Sequence, residues 1–413
     1  MEGPIVGFVG QTHLGIVSAA VAAARGCRVV AYDADVSLVA SLAERRLPLY
    51  EPGLDDLVTE HAASIRYTTD LAALARCDLV YVSVDVPTDD AGVSDLGPIN
   101  AALAAATAAT AAPVVVLSQV PPGFTRRAAA GDLRVLYQGE TLVFGEAVAR
   151  AMTPQRFSVG TADGSGLPPP LAGFLARFGC PVLSVRLESA ELCKLAINVL
   201  LAASVTATNT LAGVCEGVGA DWQEIVPALR LDPRIGAHAY LSSGVGLTGG
   251  NIERDLATVT GLADAVGTAR GLIDAISADS SHRRGWVLRR LAPVLEPGSA
   301  IAVLGLAYKP DTRSIKKSLG IELAELLSSH DLRTHDPLVV APVGRSAADP
   351  FDAATGADAV AIVTAWDDYR SLDPAVLART MRGRLVVDPH GVLDSRACRA
   401  AGLDHHVLGT ARP

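Results

Sequence analysis

The first 33 residues constrain the fold more than any other stretch of the chain. An apolar run at 4–9 leads into a glycine-bounded turn at 10–15, an alanine-rich helical stretch at 16–25 and a second apolar run at 28–32 that ends at Asp33. Strand, glycine turn, helix and strand in that order predict the first unit of a parallel α/β sheet. In such a turn the first glycine permits the tight bend and the last lets the helix pack closely on the strand. The helix N-terminus then faces a diphosphate. A carboxylate ending the second strand can accept the ribose hydroxyls. Gly10, Thr12, His13, Leu14, Gly15 and Asp33 are therefore the expected cofactor contacts. Thr12 occupies the position where a middle glycine would let a dinucleotide approach the backbone. Asp33 would repel a 2′-phosphate, and no arginine follows within ten residues, so the cofactor expected is NAD and not NADP.

At 413 residues the chain is long enough for two or three domains, and with 50% hydrophobic residues it can fill several cores. A net charge of −9 argues against non-specific nucleic-acid binding. No basic region precedes an apolar run at the N-terminus, which predicts a cytoplasmic protein. The most lipid-like stretch, 192–215, contains Lys194, Asn198 and Asn209, which predicts a helix within the protein and not a membrane span. Six scattered cysteines and nine histidines give no metal-ligand spacing, so no metal is expected.

Further apolar runs at 79–84 and 114–117 extend the first sheet, and a Pro/Gly-rich patch at 164–170 reads as a surface loop. From 189 to 231 the pattern is helical, and Glu191, Lys194 and Asn198 fall on one face. A second strand–glycine–helix cycle starts near 300, with strands at 301–304, 359–364 and 385–387. The predicted fold class is α/β: two Rossmann-like, doubly wound parallel-sheet domains joined by a central helical domain, with boundaries at 1–188, 189–297 and 298–413. The apolar run 192–211 is wider than one core-facing stripe needs, which predicts a homodimer formed through that helix.

Several motifs in order resemble the UDP-glucose, UDP-N-acetylmannosamine and GDP-mannose dehydrogenase family over nearly the whole chain. Leu49-Tyr50-Glu51-Pro52-Gly53-Leu54 resembles its IYEPGL segment, and Ser83 to Thr88 and Ser118 to Gly123 follow in matching order. Ser189 to Asn198 resembles its SAELxKxAxN helix, Asp232 to Gly236 its DPRIG turn, and Gly305 to Thr312 its GLAFKPDT loop. The resemblance implies catalytic roles for Lys194, Asn198 and Asp255 around the reacting carbon, and for Glu140 of the NPEFLxEG segment. It adds Val84, Thr88 and Gln119 to the cofactor site. It places Arg234, Gly236, Tyr240, Gly249 and Lys309 on a nucleotide-diphosphate sugar, with the arginine often supplied by the partner subunit.

The chain departs from the family where the family has its nucleophile. The GFGGSCFPKD segment reads here as residues 246–255, with Asn251 in the place of the cysteine, and no cysteine lies between Cys215 and Cys398. Oxidation of an alcohol to an acid through a thioester needs a thiolate, which an amide cannot replace. Phe144 replaces a glutamate, Gln119 a threonine, Leu319 a proline and His390 an arginine. The expected activity is a single two-electron oxidation of a sugar alcohol to a carbonyl, with Asn251 donating to the carbonyl oxygen. Three alternatives stand beside it: epimerisation through transient oxidation by retained NAD, a non-catalytic nucleotide-sugar-binding relative, and acid formation with a surrogate nucleophile.

Overall fold

A computed structural model of the chain describes residues 3–411 apart from 88, 90–92, 141 and 248–250, and of Asn251 the backbone alone. Two compact units meet within one helix, the first ending at Ile197 and the second starting at Asn198.

The first unit carries an eight-stranded sheet: β1 Ile5–Val9, β2 Arg28–Tyr32, β3 Ile65–Thr68, β4 Leu79–Val82, β5 Val114–Val116, β6 Val135–Gly139, β7 Phe157–Thr161 and β8 Val182–Arg186. Its order is β3-β2-β1-β4-β5-β6-β7-β8. The second unit carries β9 Ala300–Leu304, β10 Asp331–His335, β11 Arg345–Ser346, β12 Ala359–Ile362, β13 Leu385–Val387 and β14 Asp404–His406, in the order β11-β10-β9-β12-β13-β14. In both units the first strand sits centrally and the chain reverses direction across it, which opens a crevice at the carboxyl ends of the strands. The central strands are continuous apolar runs such as Val114–Val116 because helices cover both faces.

Some boundaries differ from the sequence pattern. The first helix begins at His13, three residues before the apolar periodicity does, because Thr12 in extended conformation already ends the turn. The expected parallel sheet has one antiparallel junction, between β6 and β7. The Pro/Gly-rich loop gives way at Pro169 to a short helix, where prolines in the first turn lose no hydrogen bond.

The glycine spacing has a measurable steric cause. Gly10 has φ +96°, and a Cβ there would lie 2.5 Å from the Val84 side chain; a Cβ on Gly15 would lie 1.9 Å from the Gly10 carbonyl oxygen. The second unit repeats the device with Gly305 and Gly320, where a Cβ on Gly320 would lie 2.1 Å from the Gly305 carbonyl oxygen.

The helix Leu187–Val218 runs through the division between the units. It is long and apolar enough to cross a membrane by length and composition. Polar contacts nevertheless tie it to the rest of the protein. Glu191 is buried and accepts from the backbone amides of Gly123 and Thr125, and Asn209 Oδ1 accepts from the Gly244 amide at 2.8 Å.

Candidate active site

The cofactor turn is assembled at the point where the strand order reverses, between β1 and β4. Thr12, the apparent misfit, turns its hydroxyl onto the Ser83 carbonyl at 2.8 Å, so its side chain is tied to the end of β4. Ser83 Oγ in turn donates to the Gly10 carbonyl at 2.8 Å, and Ser118 Oγ donates to the Val84 carbonyl at 2.6 Å. Gly10, Thr12, Val84 and Ser118 thus join the ends of β1, β4 and β5. The helix His13–Ala24 has no acidic residue in its first turn and no side-chain cap, which suits an anionic ligand at its N-terminus. Asp33 Oδ2 accepts from the Gln11 amide at 2.7 Å and Oδ1 from the Asp35 amide at 2.9 Å.

The corresponding acid of the second unit is differently committed. Asp336 Oδ2 accepts from the amides of Leu306 and Ala307 and from Trp366 Nε1, while Oδ1 accepts from the amides of Leu338 and Val339. A carboxylate oxygen has only two lone pairs, so Asp336 is consumed by protein donors whereas Asp33 keeps acceptor capacity for a ribose. The turn and acid of the first unit therefore fit a dinucleotide, and those of the second unit do not repeat the fit.

On the long helix, Lys194 precedes Asn198 by one turn. Within the first unit Lys194 lines a small cavity with Gly139, Arg156, Ser158 and Cys193. Within the second unit Asn198 Nδ2 donates to Asp255 Oδ2, and Asp255, 1% exposed, accepts from Arg254 at 3.2 Å through its other oxygen. The Asn198 amide and the Arg254 guanidinium together hold the buried Asp255 carboxylate.

Glu140 lines a cavity with Ser18, Tyr81 and Gln138 on the sheet face covered by the first helix. Gly139, one residue earlier, lies in the cavity of Lys194. Burial, reinforced by the Glu140 charge, pushes the Tyr81 hydroxyl well up. Glu191, buried on the same helix as Lys194, fixes the entry to the helix Phe124–Ala129. Burial raises its pKa despite the Thr125 and Gly123 donors. Gln119 follows β5 and is half-buried. Arg234, with its side chain 88% exposed, pairs with Asp232 at 2.6 Å in a turn closed by Gly236, whose φ is +93°. Tyr240 is exposed nearby in sequence, and Lys309 lies 6.0 Å from the Tyr308 ring centroid. Thr88, Gly249 and the Asn251 side chain fall outside the described residues; the Asn251 backbone starts the helix Asn251–Val266.

Two residues to which the sequence assigned no site role, Glu51 and Phe144, meet His13 at the glycine turn. Glu51, fully buried, accepts from the Gly145 amide at 3.0 Å and the Ala147 amide at 3.2 Å, and its Oε1 lies 2.7 Å from His13 Nε2. The His13 ring stacks on Phe144 with centroids 4.2 Å apart. Burial pushes the Glu51 carboxyl up, but hydrogen bonds from His13, Gly145 and Ala147 outweigh it and hold the pKa below the usual value. A carboxylate lowered in the folded state contributes stability above its unfolded pKa, about 4.3, and loses it as pH falls through the folded value. Glu51→Gln is accordingly expected to flatten the acid limb of a plot of Tm against pH below about pH 4.3. An unchanged acid limb would contradict this role.

Comparisons with known proteins agree with the geometry. The NAD binding domain of the UDP-glucose/GDP-mannose dehydrogenase family matches residues 5–166, its central domain 188–279 and its UDP binding domain 302–395. UDP-glucose 6-dehydrogenase AglM of Haloferax volcanii is 30% identical, over 97% of this chain and 99% of its own.

The chain belongs to the UDP-glucose/GDP-mannose dehydrogenase family.

The UDP-glucose 6-dehydrogenase of Rhizobium meliloti is likewise 30% identical, over 92% of this chain and 94% of its own. Among solved structures, a UDP-glucose dehydrogenase from Pyrobaculum islandicum superimposes with TM-score 0.85 at 28% identity, covering 99% of this chain and 98% of that one. The protein is thus an NAD-dependent oxidoreductase of a family that acts on nucleotide-sugars, with its NAD domain in the first unit.

Proposed function

We propose that this family member oxidises one alcohol of a nucleoside diphosphate sugar to a carbonyl and stops there. What supports the reading is the resemblance of residues 246–255 to the family's GFGGSCFPKD segment, which sets Asn251 against its cysteine. The cysteines that flank Asn251 in the sequence, Cys215 before and Cys398 after, are both buried. In the single step the carbinol O–H proton passes to a protein base, the C–H bond breaks and a C=O bond forms. NAD+, when bound, takes up the hydride. Asp33 and the Gly10–Gly15 turn would hold it. Lys194 would stabilise negative charge developing on the carbinol oxygen, and Asn198 and the buried Asp255 would fix the site's polar groups. Asn251 would donate to the product carbonyl, which no covalent bond retains. Glu140 would act with the catalytic group, and Val84, Thr88 and Gln119 would line the cofactor.

The relatives' UDP-sugars support a uridine diphosphate sugar as the substrate class. Arg234, Lys309 and Tyr240, with Gly236 and Gly249 in the turns, would meet its diphosphate and sugar. Incubation with NAD and nucleotide-sugars, then trapping with a hydrazine and mass spectrometry, tests the reading. A trapped aldehyde or ketone supports it, and a uronic acid overturns it.

We further propose three domains, at 1–188, 189–297 and 298–413, and a cytoplasmic homodimer formed through Leu187–Val218. Leu200, Leu211, Val214 and Val218 are 49–70% exposed and share one stripe of that helix, an apolar face that a second copy would cover. Light scattering at micromolar concentration is expected to give twice the chain mass, and Val214→Lys to give the monomer. A monomer from the unmodified protein contradicts the assignment.

A further inference from the structure

We propose that His13 is a diphosphate contact in the NAD site and that Glu51 is the residue that positions it. This rests on the assignment of NAD to the first unit. The helix His13–Ala24 opens with no carboxylate in its first turn, and the hydroxyl of its cap residue Thr12 is spent on the Ser83 carbonyl. Among the described residues the first-turn amides therefore have no side-chain cap, and in a dinucleotide fold they face the diphosphate. His13 is the first residue of that helix, so its ring stands at the same terminus.

Two contacts fix the ring. Phe144 packs against its face, with centroids 4.2 Å apart and planes 27° apart. Glu51 Oε1 lies 2.7 Å from Nε2. Glu51 is immobile in its turn, being fully buried and bonded to the amides of Gly145 and Ala147. An ionised carboxylate only accepts hydrogen bonds, so Nε2 is the donor in this pair. The His13 side chain is 16% exposed, so the ring reaches the surface at the cofactor turn. An imidazole that donates from Nε2 to a carboxylate and from Nδ1 to a phosphate carries both protons and one positive charge. His13 thereby supplies a cation to a turn that otherwise offers only backbone dipoles, and Glu51 sets the ring's orientation.

The test is calorimetric binding of three probes, NAD, ADP-ribose and adenosine, to the full chain. His13→Gln keeps a donor toward Glu51 but cannot take the charge. It is expected to weaken NAD and ADP-ribose by about tenfold, the value of one charge-assisted hydrogen bond, and to leave adenosine within about twofold. Glu51→Gln keeps an acceptor and is expected to give the same selective pattern. If Glu51→Gln fails to fold, His13→Gln alone decides the proposal. Unchanged NAD affinity in His13→Gln overturns the proposal and leaves the NAD assignment standing, and so does equal weakening of all three probes. Absence of binding by the unmodified protein to any of the three overturns both.

Discussion

Lys194→Ala is expected to lower kcat by ~10²-fold or more while leaving the KM for the nucleotide-sugar within a few-fold. The lysine lies on the helix Leu187–Val218 one turn before Asn198, and its ammonium is the positive group assigned to the carbinol oxygen. That oxygen gains negative charge only as the C–H bond breaks, so the interaction is stronger in the transition state than with bound substrate. Loss of such an interaction appears in kcat. Lys194→Arg keeps the charge but changes its shape and hydration, and is expected to recover only part of the rate. A variant with normal kcat and raised KM would instead make Lys194 a substrate-binding residue.

Asp33→Ala is expected to weaken NAD binding by roughly 1–3 kcal/mol, about 5- to 150-fold in Kd. The carboxylate has two uses, since it also accepts from the amides of Gln11 and Asp35. Asp33→Asn keeps an acceptor for those amides and removes the charge, so it separates the ribose contact from the turn's integrity. It is expected to bind NAD more weakly than the unmodified protein and to discriminate less against NADP, whose 2′-phosphate the charge repels. Isothermal titration with both cofactors reads this directly. Equal or tighter binding of NADP by the unmodified protein contradicts the role.

The features legible in the sequence were local ones. Gly10, Gly15 and Asp33 lie within one βαβ unit, and their steric and electrostatic duties follow from position along the chain. The second unit announced itself in the same way at Gly305. What was not legible depends on residues distant in sequence. Glu51 and His13 are separated by 38 positions, and nothing in either neighbourhood says that a buried carboxylate and a helix-end imidazole meet. Glu191 shares a helical periodicity with Lys194 and Asn198, yet its carboxylate is spent on the amides of Gly123 and Thr125, elsewhere in the fold. Strands β7 and β8 carry Ser158, Ser184 and Arg186 among their apolar residues, which hides them from an apolar-run search. The antiparallel turn of β7 is set by the chain's return path and leaves no local signal. Thr12 ties its hydroxyl to the Ser83 carbonyl, 71 positions away, a contact that the glycine spacing does not announce.

The central claim is that chemistry stops after one oxidation, and the number of NADH molecules formed per sugar consumed tests it most directly. Purified protein, excess NAD and a limiting nucleotide-sugar are followed to completion by absorbance, with the sugar product identified by mass spectrometry. Cys193→Ala is run in parallel, because Cys193 lines the cavity beside Lys194 and is the thiol best placed to act as a surrogate. The account predicts one NADH per sugar and a carbonyl product, the same for both proteins. Two NADH per sugar with a carboxylic acid product would contradict it, and loss of the second NADH in Cys193→Ala would identify the thiol responsible.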